Sequence, residues 1–221
     1  MKISYKTMNT VLEIEPDRIS SLIVEEPSFF YQLLQDFKWT LQGEDRGVIF
    51  SKQDKPVIPS KAVVFMSDFI DFTLNQKVLL TKIINELEQI AQKAPYYERI
   101  QQLVAQLEGE TLELTLQFPC ELSCEKLNIQ NVLKAAGIKI EDDYETLAER
   151  ILAFMDLERE FEGKELFVLV NLRCLISHEE MQKFAETALT REHLILLIDN
   201  KEYPKLSGEN RTIIDSDLCE F

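Results

Sequence analysis

The chain reads as an α/β protein with a mainly parallel sheet and a long helical insertion. Three observations predict this. The runs 62–66, 166–170 and 194–198 are apolar without polar alternation, as strands buried on both faces read. The last two are joined by a stretch with helical periodicity, the crossover that a parallel pair requires. The first is parted from them by a long interval whose apolar residues recur every three or four positions.

The clearest unit is Lys164 to Asn200. Phe167-Val168-Leu169-Val170 stops at Asn171. Ser177-x-x-Glu180 is a capping box, in which serine accepts from a free first-turn amide and glutamate reaches back. Ile176 and Met181 stand where a hydrophobic staple sits, and Met181, Phe184, Ala185 and Ala188 give the helix one apolar face. Leu194 to Ile198 is the second strand, ending at Asp199-Asn200. Polar residues at such strand ends are where open α/β sheets place ligands.

Taken in order, Val11–Ile14 and Ile19–Val24 read as short strands. Pro27 suits the first position of a helix that buries Phe29, Phe30, Leu33, Leu34 and Phe37. The link before it, Glu25-Glu26-Pro27-Ser28, has no glycine, no lysine and two carboxylates. A phosphate-cradling loop needs the opposite composition, so this link repels a triphosphate. Leu41 to Phe50 reads as a hairpin turning at Gly43–Gly47, and Lys52 to Ser60 as a polar connection.

The interval that follows is helical. Val78, Leu79, Ile83, Leu87 and Ile90 form one stripe, and Pro95 punctuates. Ile100, Leu103, Val104 and Leu107 form a second, ended by Gly109. Leu112 to Phe118 alternates with polar residues and fits either a short strand or a helix. Ile129, Val132, Leu133 and Ala136 form a third helix stopped by Gly137. Asp142-Asp143 caps a fourth, with Leu147, Ile151, Phe154 and Met155 inward. Three segments result: an α/β head from residues 1–75, a helical leg at 76–162, and the rest of the head at 163–221. The alternative is one globule with all helices packed on the sheet. Thr212-Ile213-Ile214 fits a last edge strand.

The 221 residues carry a formal charge of −15 and are 45% hydrophobic. That composition supports a packed core rather than disorder. It argues against nucleic acid unless the cations gather on one face, and it favours calcium over polyanions. No apolar run approaches membrane-spanning length, and the amino terminus lacks a signal-peptide pattern, so a cytoplasmic location is expected. Cys120, Cys124, Cys174 and Cys219 do not complete a zinc pattern and read as reduced thiols. No nucleophile elbow, metalloprotease motif, EF-hand loop or dinucleotide fingerprint occurs. Asp68, Asn171 and Asp199 end strands as magnesium-side residues do, but capping or solvation explains them as well. Glu121 and Glu125 would share one helix face at i, i+4 spacing, where a hard cation could bridge them; the plain reading is a solvated acidic face. Lys126, Lys134, Lys139 and Arg150 are the basic residues of this region.

Several stretches resemble one family. They are Val64 to Asn75, Leu133-Lys134-Ala135-Ala136-Gly137-Ile138-Lys139-Ile140-Glu141, Lys164 to Asn171, and Ile213-Ile214-Asp215-Ser216-Asp217. From about Gly47 to the carboxyl end the chain is similar to the CRISPR-associated Csn-two family of type II-A systems. The resemblance implies a P-loop-NTPase-like head lacking the phosphate loop, with an inserted helical leg. It implies no enzyme and no nucleotide, but a homotetrameric ring that holds double-stranded DNA ends without sequence preference during spacer acquisition. Partners would be the adaptation integrase and the RNA-guided nuclease, with no membrane. Lys134, Lys139 and Arg150 fall where the family carries DNA-facing cations. Glu121 and Glu125 fall where it gathers calcium-binding carboxylates, although Ser123 and Lys126 stand where acids are expected. The alternatives are a degenerate NTPase or metal-dependent nuclease of the same fold, and a protein-interaction scaffold with no DNA role.

Overall fold

A computed structural model describes residues Met1–Phe221. The chain opens on strands β1 (Lys2–Tyr5), β2 (Leu12–Glu13) and β3 (Ser20–Val24), then helix α1 (Pro27–Leu41). There follow β4 (Val48–Lys52), β5 (Lys55–Pro56), the one-turn helix α2 (Pro59–Ala62) and β6 (Val63–Met66). Helices α3 (Lys77–Ala91), α4 (Tyr96–Thr115), α5 (Ile129–Ala135) and α6 (Leu147–Glu162) come next. The chain closes with β7 (Leu166–Val170), α7 (His178–Thr190), β8 (Leu194–Asp199) and β9 (Asn210–Ile214). It divides into two compact units: residues 1–72 with 143–221, and residues 73–142.

The first unit holds a five-stranded sheet in the order β6-β7-β8-β3-β9, parallel at every pairing. Every residue of β3 and β7 is buried, which explains the unbroken apolar run of β7, whereas β3 opens on the buried Ser20 and Ser21. Leu22, Val24, Val168, Val170, Leu196 and Ile198 share a core cluster with Leu33 and Phe37 of α1. The same cluster takes Ile3, Tyr5, Leu12 and Phe50 from an antiparallel sheet ordered β2-β1-β4-β5. Tyr5 donates its hydroxyl proton to Asp36 of α1 at 2.7 Å, so this buried polar pair is satisfied. Side chains alternate along a strand, so Phe167, Leu169 and Leu197 are turned away from that cluster, yet are also buried. Helices α6 and α7 pack on each other and bury apolar residues outside that cluster, among them Ile151, Met155, Met181 and Phe184.

The caps show where the local readings hold. Ser177 and Glu180 form the reciprocal capping box of α7. Gly137 follows α5 at φ +66°, a left-handed conformation that glycine adopts without steric cost. Strands β6, β7 and β8 stand where the apolar runs placed them: β7 is buried throughout, β8 in all but Leu194, and β6, an edge strand, leaves Val64 and Phe65 partly exposed.

Elsewhere the structure corrects the sequence reading. Leu41 to Phe50 is no hairpin: Leu41 ends α1, and β4 pairs with β1, a strand the periodicity did not reveal. The tight turn lies one step later, at Gln53-Asp54, both at positive φ between β4 and β5. Gly109 does not end a helix. It lies inside α4, which runs on to Thr115, so the Leu112–Phe118 alternation is not a strand. One glycine costs only about 1 kcal/mol in a helix interior, which a 20-residue helix sustains. Helix α6 is capped by Thr146, whose hydroxyl accepts from the Glu149 amide at 3.2 Å, not by Asp142-Asp143. It also belongs to the first unit, because its apolar stripe is buried there. The interrupting helical segment therefore closes at residue 142 and not at 162.

The second unit comprises α3, α4 and α5, with α3 packed against both others. Asn75 brackets Ile140 with two hydrogen bonds, donating to its carbonyl at 3.0 Å and accepting from its amide at 2.8 Å. Glu108 of α4 accepts from the Leu127 amide at 2.7 Å and ties down the segment between α4 and α5.

Candidate functional site

In the parallel sheet the strand order reverses around β3, which lies between β8 and β9. The carboxyl ends of strands at such a reversal form the usual ligand crevice. Here the turn from β3 to α1 is Glu25-Glu26. The Glu26 carboxylate accepts from the amides of Ser28 at 3.1 Å and Phe29 at 2.5 Å, two otherwise unpaired donors of the first turn. Those hydrogen bonds, Phe29 first, hold the Glu26 carboxyl below its ordinary pKa. An anion would need the donors that this side chain already uses.

The other strand ends are also engaged internally. Asn171 sits at φ +55°, and its side-chain oxygen accepts from the Asn200 amide at 3.1 Å, joining the ends of β7 and β8. Asp68, after β6, accepts from the amides of Ile70 and Asp71 and shapes a turn. Asp199 is fully buried. Its Oδ2 lies 3.3 Å from Arg173 Nε, and no protein group hydrogen-bonds either oxygen.

Arg173 leads into a buried charge cluster that the sequence did not announce. Glu209 accepts from Arg173 Nη2 at 2.7 Å, from Arg211 Nε and Nη2 at 3.1 Å each, from the Leu206 amide at 2.7 Å, and from the Ser21 hydroxyl. Burial alone would raise the Glu209 carboxyl. The hydrogen bonds from Arg211, Arg173, Ser21 and Leu206 outweigh it and hold the group at about 2. Asp199 goes the other way: burial pushes it up to about 6, with Arg173 opposing. Glu209 and Arg211 flank Asn210 at the start of β9, but Arg173 and Asp199 come from segments distant in the chain, so no spacing pattern could have joined all four.

A second polar cluster lies between α6 and the turn before β8. His193 is buried, with Nε2 2.8 Å from Asp156 Oδ1; Arg191 also pairs with Asp156. Burial lowers the His193 pKa, so the ring is held neutral against the pull of Asp156. No serine or cysteine is hydrogen-bonded to this pair, and it acts as a clamp joining two elements.

The residues singled out by sequence fall in different places. Lys134 and Lys139 are exposed on the second unit, and Lys134 donates to Gln130 at 3.1 Å. Arg150 belongs to the first unit, with its guanidinium 4.4 Å above the Phe72 ring. Glu121 and Glu125 are exposed but not helical. The segment after α4 carries no regular structure until α5 begins at Ile129, where the Asn128 side chain accepts from Asn131. Pro119 lacks the amide proton needed to prolong a helix, so i, i+4 spacing does not set these two carboxylates on one face. No group of three or more His, Cys, Asp and Glu side chains is placed to hold a metal ion. All four cysteines are free and exposed. No helix is long and apolar enough to cross a membrane.

Residues 41–218 match a protein family described as CRISPR-associated protein (Cas_Csn2). A CRISPR-associated protein Csn2 of Enterococcus faecalis is 25% identical over 190 residues, which is 84% of each chain. One from Streptococcus agalactiae is 21% identical over 222 residues, covering 98% of this chain and 96% of the relative. Among solved structures, an ABC-transporter ATP-binding protein of Pyrococcus furiosus aligns over 96% of this chain and 94% of its own. It does so at 13% identity and a TM-score of 0.41.

Proposed function

The chain belongs to the CRISPR-associated Csn2 family, and we propose that within that system it is a non-enzymatic binder of double-stranded DNA ends, acting as a homotetrameric ring in spacer acquisition. The observation that carries the non-enzymatic part is Glu26. Its carboxylate takes the amides of α1 at the turn where a nucleotide-binding head would seat a phosphate. Asp68 and Asn171 are likewise spent on backbone amides, and Asp199 on Arg173. The DNA-binding part rests on family membership and on the resemblance already described.

A ring suits so acidic a chain. Only its lumen must be positive, because phosphates inside lie within a Debye length of about 8–10 Å of the wall. Lys134 and Lys139, exposed on the second unit, are the proposed DNA-facing cations, with Arg150 as the head's contribution. A closed ring admits a free end but not a covalently closed circle. Binding would need no base contacts and would weaken steeply with salt. The adaptation integrase and the RNA-guided nuclease are the proposed protein partners.

The test is a gel shift of linear against covalently closed circular DNA of one sequence, with solution mass measured in parallel. Linear DNA retained and circular DNA free, with a tetramer mass, supports the reading. Equal binding of both topologies sinks it. Calcium, with Glu121 and Glu125 as its proposed carboxylates, is one arm of that assay. The nucleotide-hydrolase or nuclease reading is tested by thermal stabilisation with magnesium and ATP and by DNA cleavage.

A further inference from the structure

We propose that the carboxyl end of α4 and the segment after it form a docking site for a basic amphipathic segment of another protein. This stands apart from the DNA reading and uses none of its proposed DNA-facing cations. Leu116 is 77% exposed and Phe118 62%, and Leu114 and Leu122 beside them are exposed as well. Single exposed apolar residues are ordinary, but a contiguous patch marks a contact surface. Leu116, Phe118 and Leu122 line one depression of about 520 Å³, with Pro119 as part of its wall.

The electrostatics select the occupant. Between Arg99 and Lys134 the chain carries Glu108, Glu110, Glu113, Glu121 and Glu125 against the single cation Lys126. Glu108 is committed to the Leu127 amide. Glu121 is the one charged residue lining the depression itself. The last turn of α4 has no basic residue, so the partial negative charge of its carbonyl end is uncompensated by its own side chains. An apolar floor rimmed by acids fits leucine-like anchors flanked by lysine or arginine. A second copy of this chain would bring the same acids face to face, and like charges opposed across an interface cost affinity. Organic cations also suit Glu121 and Glu125 better than a metal. An ammonium or guanidinium group can pair with one carboxylate, whereas calcium needs a convergent set of oxygens.

The probe is a synthetic peptide with leucines on one helical face and lysine and arginine on the other. The control is a scrambled peptide of the same composition. Binding to the full chain is read by fluorescence anisotropy at physiological ionic strength. The double variant L116S/F118S keeps the net charge and alters only exposed side chains. It should weaken peptide binding about tenfold or more, with an unchanged melting temperature and an unchanged DNA gel shift. E113K/E121K should weaken it similarly. Equal binding of the scrambled peptide, or unaltered binding by L116S/F118S, would overturn the proposal in favour of general attraction to an acidic surface. A fall in solution mass with peptide binding intact would overturn it in favour of a contact between copies. Because the readout is the peptide, failure of the DNA-end reading leaves the result interpretable.

Discussion

Asp199 and Arg173 form an ion pair inside the protein, 3.3 Å between Oδ2 and Nε, with both side chains almost wholly shielded from water. Arg173 simultaneously donates to Glu209 at 2.7 Å. One guanidinium therefore serves two buried carboxylates, and the two are unequal. Glu209 collects hydrogen bonds from Arg211, Ser21 and an amide as well, whereas Asp199 collects none. That inequality separates their titrations, Asp199 at about 6 and Glu209 at about 2.

Stability should follow from this in opposite directions. Asp199 is raised from 3.8, so the folded state holds the extra proton, and stability is lost as pH rises through about 6. Glu209 is lowered from 4.5, so its contribution is present above that value and lost as pH falls toward about 2. Asp199→Asn should remove the slope between pH 4 and 6, roughly 1–3 kcal/mol across the window. Urea unfolding at stepped pH measures it. Parallel curves for wild type and variant would contradict the assignment.

Glu26 gives a second pH signature. Its carboxyl is lowered by the Phe29 and Ser28 amides, so the cap is at full strength above the ordinary glutamate range and fades below it. Glu26→Ala should lower the melting temperature at pH 7, and the gap to wild type should close as pH falls toward 3. A gap that is constant with pH would mean that the carboxylate is not the cap.

Packing predicts a contrast between substitutions. Phe184 of α7 is 1% exposed, and Phe184→Ala should cost about 3–5 kcal/mol through lost transfer energy and a cavity. Leu112→Ser on α4, more than half exposed, should stay within about 0.5 kcal/mol. Denaturant midpoints at unchanged slope give both numbers.

The three proposed DNA-facing cations should not behave alike. Lys134 and Lys139 are exposed, so replacing both with alanine should spare the fold. The salt dependence of DNA binding should then flatten by about two units of log–log slope per protomer engaged. Arg150 also covers the Phe72 ring, so Arg150→Ala should lower the melting temperature, by about 0.5–2 kcal/mol of cation–π contact. Fluorescence melts and salt-series gel shifts separate the two effects. An unaltered salt slope in the double lysine variant would remove those residues from the interface.

Much of the first unit is legible in the sequence. Unbroken apolar runs marked β6, β7 and β8, and Ser177 with Glu180 marked the start of α7, because burial on both faces and free first-turn amides each leave a local trace. The misreadings arose where a local signal competed with context. Gly109 looked like a stop, but the helix around it continues. The Gly43–Gly47 stretch looked like a hairpin turn, but β4 finds its partner at the amino terminus, in β1. Glu121 and Glu125 had helical spacing without a helix.

The sequence by itself determined the α/β class, the places of three buried strands along the chain and the carboxylates in the β3–α1 turn, since each depends on residues adjacent in the chain. The tertiary structure alone decided that Arg173, Asp199, Glu209 and Arg211 meet, that α6 belongs with the sheet, and that the leucines after Gly109 stay exposed. These depend on segments brought together by burial of apolar surface. That force is non-directional and names no partner in advance.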